Sequence, residues 1–280
     1  MSNKVIISFI LKSDFGFFRK PDTNEGVNLS YNIIHRPSIL GILGAIIGLE
    51  GYQEFGKLPE YYNVFKDLKI GVEPVEEQLH FQKTSLKYNN TTGFANKDSQ
   101  EKVQTTLNIE ENLLIAPSYK IYLELDLKIE KEKQLMENIL NQKSEFLPYF
   151  GKNECIAWWD SEECETITEY QDFDFESDFS ISSFFYLTDN QTTVVQNAIA
   201  KAVVSGRKAR SSVKQPFMYF ERLPTSLDAK PIELEEDKKL KYSYNELKKF
   251  VYTNALFEKN TSWNIELQQL NNGKIIQLFK

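Results

Sequence analysis

The chain has 280 residues, 41% hydrophobic and 13% aromatic, enough to bury a sizeable core and too apolar for a disordered protein. Its formal net charge is −7, from 33 Lys and Arg against 40 Asp and Glu, which excludes a uniformly basic nucleic-acid binder. Two cysteines without a C-x-x-C spacing argue against a disulfide scaffold, and the longest apolar run, Ile39 to Leu49, is short of the ~20 residues of a membrane span.

Val5, Ile7, Phe9 and Leu11 alternate with Ile6, Ser8, Ile10 and Lys12, and both sets are largely apolar. This predicts a central strand buried on both faces. The same N-terminus is a short apolar run followed by charge, a strand rather than a signal peptide, so the protein is expected in the cytoplasm. A loop of roughly two dozen residues follows, long enough to be read as functional. It carries Phe15, Phe17 and Phe18 beside Arg19 and Lys20. Gly16 is placed to let a phosphate approach or to take a positive φ.

Pro37 suits the first turn of a helix. Gly41, Gly44 and Gly48 then fall at i, i+3 and i+7, one bare stripe opposite Ile39, Ile42, Leu43 and Ile46. Each interior glycine costs about 1 kcal/mol relative to alanine, so a backbone, a sheet or a polyanion is expected to approach closely. With Arg19, Lys20 and Arg36 around it, the helix N-terminus is a candidate phosphate site.

Val64 to Val72 and Gln78 to Tyr88 read as strands. Leu79 to Asn112 reads either as a protruding hairpin or as an ordinary surface loop, with turn-forming residues from Asn89 to Gly93. Tyr119 to Lys128 alternates most cleanly, with Tyr119, Ile121, Leu123, Leu125 and Leu127 on one face and Lys120, Tyr122, Glu124, Asp126 and Lys128 on the other. Residues 129–143 follow as an amphipathic helix. The order strand, helix, strands, helix, strand gives an α+β class with a split βαβ core. We read residues 1–160 as that core, with a hairpin insertion at about 79–112, and 161–280 as a smaller β-rich region.

Charge is unevenly spread. Asp160 to Asp178 holds nine acids and no Lys or Arg, whereas Lys201 to Arg222 holds six bases against Glu221 alone. Fields are screened within about 10 Å at ordinary salt, so a basic face coexists with an acidic total. The acidic run is a solvated face or the surface that meets a basic partner subunit.

No nucleotide, zinc-protease or serine-hydrolase motif is present, and no cofactor or metal is expected. The one reaction to weigh is metal-independent RNA cleavage, which needs a general base for a 2′-OH and a cation or acid for the phosphate. His35 with Tyr31, and His80, are the candidates; for both histidines a structural or RNA-contacting role is favoured. RNA binding is better supported, because a single strand is held by cations, hydroxyl donors and planar side chains. The candidates are Phe17, Phe18, Arg19, Lys20, Arg36, Ser38 and Gly41, then Lys83 and Lys87. Further along come Lys152 and Asn153 after Gly151, and the basic residues Arg207, Lys208, Arg210 and Lys214. At least one of the three phenylalanines is expected to be core.

The N-terminal strand followed by G-F-F-R-K-P and R-P-S-I-L-G-I-L-G-A-I-I-G resembles the fifth CRISPR-associated (Cas) protein family of type I Cascade complexes, most like its I-B-type members. Three further blocks fit in the same order. They are Q-T-T-L-N from Gln104 with A-P-S-Y-K-I-Y-L from Ala116, then Y-F-G-K-N-E-C-I-A from Tyr149, then F-E-R-L-P from Phe220. The match spans most of residues 1–225. The resemblance implies a ferredoxin-like (RRM/RAMP) core that caps the 5′ handle of CRISPR RNA (crRNA), and it adds Gln104 to the candidates. Its implied partners are the Cascade backbone subunit and large subunit, with target DNA met indirectly through the complex and no membrane. Related proteins of one subtype process crRNA with a Tyr, Lys and His set, which does not align here residue by residue. Endoribonuclease processing of the precursor at the repeat therefore stands as the alternative.

Overall fold

The computed structural model of the chain describes residues 3–21, 26–53, 57–75, 82–90, 107–187, 194–201, 217–234, 237–261 and 265–280. Helix and sheet are mixed, and the strand pairs are mostly antiparallel. The first part runs β1 (Lys4–Ser13), α1 (Arg36–Ile47), α2 (Glu60–Phe65), β2 (Lys69–Pro74), β3 (Lys83–Asn90), β4 (Leu107–Ile115), β5 (Ser118–Asp126), α3 (Glu130–Leu140), β6 (Ala157–Trp158) and β7 (Glu165–Ile167). β1 pairs with β5 from Lys4↔Asp126 to Lys12↔Ser118. β5 takes β2 on its far edge, and the other edge of β1 takes β6 and β7.

β1 is buried on both faces, and its neighbours explain why. Val5, Ile7, Phe9 and Leu11 join Tyr119, Ile121, Leu123 and Leu125 against the helices. On the opposite face Ile6 meets Tyr122, Ile167, Leu270, Ile276 and Leu278. Tyr122 therefore does not sit on a polar surface. It is buried, its hydroxyl donates to Glu73 at 2.5 Å, and the same carboxylate holds Lys274 at 2.8 Å.

Val64 to Val72 is not one strand: Glu60–Phe65 is α2, and the strand starts at Lys69. The hairpin reading is met by β3 and β4, paired from Lys83↔Leu114 to Asn90↔Leu107. Residues 76–81 and 91–106, with His80 and Gln104, lie outside the described residues. β4 also pairs with Phe15–Gly16 and, in parallel, with Val27–Asn28, so the long loop after β1 is stitched to the hairpin.

The glycine stripe is shorter than its spacing suggests. Gly48 is not in the helix; it caps the C-terminus at φ 75°, a conformation that favours glycine. At Gly44 a Cβ would lie 2.4 Å from the Cβ of Tyr61, so the close neighbour is α2, a protein element and not a polyanion. Gly16 likewise has no positive φ; it packs on Pro117 and Phe150.

After residue 161 the main feature is a hairpin that the sequence did not announce. β8 (Met218–Leu234) and β9 (Asp237–Thr253) pair along their length, and the charged stretch from Glu233 to Lys241 falls at its end. Pro224 and Pro231 are tolerated because β8 pairs only with β9 among the described residues. A second cluster, including Phe173, Phe179, Phe185, Val251 and Phe257, packs at the base of this hairpin. No helix among the described residues is long and apolar enough to cross a membrane.

Candidate nucleic-acid interface

A cleft of about 770 Å³ opens between α1, the loop at 17–19 and the segment at 146–152. Its construction begins at a backbone contact: the Phe17 amide donates to the Phe150 carbonyl at 2.9 Å. Gly151, at φ 81°, lies so close to Phe17 that a Cβ there would be 2.0 Å from the Phe17 carbonyl oxygen. Lys152 then lies over the Phe17 ring at 5.5 Å and the Tyr88 ring at 5.3 Å, while its Nζ pairs with Glu111 at 2.5 Å. Burial opposes the Lys152 charge, but the hydrogen bond and charge of Glu111 outweigh it and hold the ammonium above the usual lysine range.

The far end of the loop is clamped by Glu221, which is buried. Its carboxylate accepts from the amides of Asn32 and Ile33 at 2.9 and 3.3 Å and pairs with Lys20 at 2.9 Å. Lys20 also lies over the Tyr31 ring at 5.1 Å. The F-E-R-L-P segment thus holds the loop that carries G-F-F-R-K-P.

Of the sequence candidates, Phe17, Phe18, Arg19, Ser38, Gly41 and Lys152 meet in the cleft lining. Phe18 contributes mainly to the core, packing on His35 and Phe150. Arg19 is exposed. Lys20 is turned to Glu221, Lys83 donates to the Ser30 carbonyl at 2.9 Å, and Lys87 pairs with Glu110 at 3.1 Å. Burial pushes the Lys83 ammonium below its usual range. Asn153 is exposed in the turn but outside the lining. Arg207, Lys208, Arg210 and Lys214 lie outside the described residues.

Arg36 corrects the sequence reading. It is buried, and its guanidinium donates to the carbonyls of Lys66 at 2.5 Å, Leu68 at 3.1 Å and Thr225 at 3.2 Å. It ties α1 to the end of α2 and to β8, and does not front the helix. The helix N-terminus is also occupied from within: the Ser38 amide donates to the His35 carbonyl at 3.0 Å and to its Nδ1 at 3.3 Å. The Ser38 amide is therefore no longer an orphan donor for a phosphate.

His35 is enclosed by the rings of Phe18, Tyr31 and Tyr244. Burial lowers its pKa from the ordinary 6.5 to about 3, and so weak a base is poorly matched to proton abstraction near neutrality. Its titration is instead a stability term. Between pH 6.5 and about 3 the unfolded chain holds a proton on His35 that the folded chain refuses, so stability is lost as pH falls. We expect His35 to remove about 2 kcal/mol between pH 7.5 and pH 5. Urea denaturation across that range should show a shallower decline in His35→Asn, which keeps a capping side chain.

Composition concealed the rest of the lining. Tyr52, Tyr61, Phe146, Leu147, Tyr149 and Tyr244 also face the cleft, and only the aromatic-and-proline cluster of 146–150 hinted at them. Burial raises the pKa of Tyr61 and Tyr244 well above the ordinary phenol range, so both stay protonated. Among the described residues no three His, Cys, Asp or Glu side chains are grouped to hold a metal ion.

Solved structures similar to the chain include a chain of a CRISPR RNA-guided surveillance complex, 10% identical over 90% of this chain and 91% of that one, with a TM-score of 0.46. A CRISPR protein from Archaeoglobus fulgidus is 11% identical over 99% and 100%, at 0.39, and a CRISPR-associated protein is 12% identical over 95% and 96%, at 0.35. These structural neighbours are CRISPR-associated proteins. At TM-scores below 0.5 none of their properties is transferred to this chain. No family model matches the sequence, and no curated protein does.

Proposed function

We propose that this chain is a non-catalytic RNA-binding subunit of a type I CRISPR surveillance complex, holding the 5′ handle of crRNA in the cleft beside α1. The carrying observation is the meeting of sequence blocks that lie far apart in the chain. Buried Phe17, from G-F-F-R-K-P, stands against Gly151 and Lys152, from Y-F-G-K-N, and exposed Arg19 lines the same cleft. Rings and cations at one concave surface are what a single strand requires. The strand order supports the same reading: four strands of the core sheet lie fourth, first, third, second, the order expected of a ferredoxin-like core. The complex supplies the backbone and large subunits as partners, and target DNA is reached through them.

The test is a gel shift with labelled repeat RNA in EDTA, scored for both retention and product. Retention without cleavage is expected, with affinity falling as salt rises. Arg19→Glu should weaken retention about tenfold, a loss of roughly 1.4 kcal/mol, and leave thermal stability within about 0.5 kcal/mol. A unique cleavage product would replace this reading with the endoribonuclease. Unchanged retention in Arg19→Glu would remove the cleft from RNA binding.

A further inference from the structure

Residues 147–150 and 155–158 form a short antiparallel ribbon on the lip of the cleft. Tyr149 bridges Ile156, the Phe150 amide donates to the Cys155 carbonyl at 2.7 Å, and the Ala157 amide donates to the Pro148 carbonyl at 3.0 Å. Side chains therefore alternate between two faces. Pro148, Phe150, Cys155 and Ala157 point inward and are buried. The outward set is Leu147, Tyr149, Ile156 and Trp158, at 63, 44, 47 and 38% exposure. A solvent-facing ribbon ordinarily carries polar residues; here every outward position is apolar.

The patch extends beyond the ribbon. Phe146 precedes it at 54% exposure. Phe15 adjoins it, because the Ser13 hydroxyl lies 2.6 and 2.7 Å from the carbonyls of Phe15 and Ile156. Contiguous exposed apolar surface of this kind marks an interaction site.

The rim decides what binds. Asp14, Glu154 and Glu162 are exposed and make no ion pair among the described residues. The one cation of β1 nearby, Lys12, is already paired with Asp160 at 3.0 Å and Glu163 at 2.6 Å. At the Ile156 and Trp158 end, outside the cleft lining, a polynucleotide or an anionic lipid surface would meet like charge, and a second copy of the chain would set acid against acid. A protein surface with an apolar centre and a Lys/Arg rim meets neither penalty. We propose that the outer face of this ribbon is a docking surface for a protein subunit of that chemistry. Leu147 and Tyr149 belong to the cleft lining as well, whereas Ile156 and Trp158 do not, so the latter two report on docking apart from RNA.

A photocrosslinking benzoylphenylalanine at Ile156, or at Trp158 as a second site, tests this in the full-length protein within the cells that make it. Lys133, exposed on α3, carries the control probe. The expected result is one protein adduct from the ribbon sites and none from the control, insensitive to RNase. Its crosslinked peptide should hold more Lys and Arg than Asp and Glu. Glu154→Lys combined with Glu162→Lys should lower the adduct at least fivefold, with an unchanged circular dichroism spectrum. An adduct that RNase removes, one to lipid or to the chain itself, an acidic crosslinked peptide, or no adduct would each overturn the proposal.

Discussion

Arg36→Ala is expected to destabilise the fold by about 3–5 kcal/mol in chemical denaturation, with no RNA present. The side chain spans three elements, and its loss strands the carbonyls of Leu68 and Thr225 in a buried setting and that of Lys66 in a partly buried one. Each unsatisfied buried acceptor costs about 1–3 kcal/mol. One of those carbonyls, that of Lys66, caps α2, where the backbone has run out of its own donors and a cation is favoured. Arg36→Lys should recover only part of the loss, since an ammonium cannot spread donors across separated acceptors as the planar fork does. Arg19→Ala supplies the contrast, a near-neutral stability change coupled to weaker RNA retention. A result in which Arg36→Ala leaves the denaturation midpoint in place would return that residue to the phosphate-contacting set.

Gly151→Ala should cost about 3–5 kcal/mol, combining a left-handed backbone with severe overpacking. The added methyl would stand 2.0 Å from the Phe17 carbonyl oxygen, and neither backbone can move without breaking the Phe17–Phe150 hydrogen bond. Gly51→Ala is the matched control, because a Cβ there meets nothing within 4 Å and should change stability by less than about 0.5 kcal/mol. Because the same contact joins the two walls of the cleft, Gly151→Ala should also weaken RNA retention. Equal stability of the two variants in urea titration would contradict the geometry.

The elements with strong periodicity could be read directly. β1, β5 and α1 emerge within a residue or two of their sequence limits, since each buries a defined pattern of apolar side chains. Burial of a polar group by a distant segment leaves no such pattern. Arg36, His35 and Lys20 look like a cationic cluster in the sequence. In the structure Arg36 and Lys20 are consumed by carbonyls and by Glu221, and His35 by burial among rings. Tyr122 was hidden for the same reason: its strand alternates cleanly, and the residues that cover its polar face, Leu270, Ile276 and Leu278, lie far along the chain. The β8–β9 hairpin escaped notice because prolines and charges in an edge strand resemble a loop. What remained legible at the site was its pair of signature turns, and their meeting required the fold.

The register of the central sheet bears on how the chain is made. β1 pairs with β5, Lys4 opposite Asp126, so β1 leaves the ribosome without that neighbour until β5 has followed. At about 5–20 residues per second that delay is roughly 6–24 s. Throughout it a ten-residue segment with six large apolar side chains waits unpaired, a client for whatever shields nascent chains from one another.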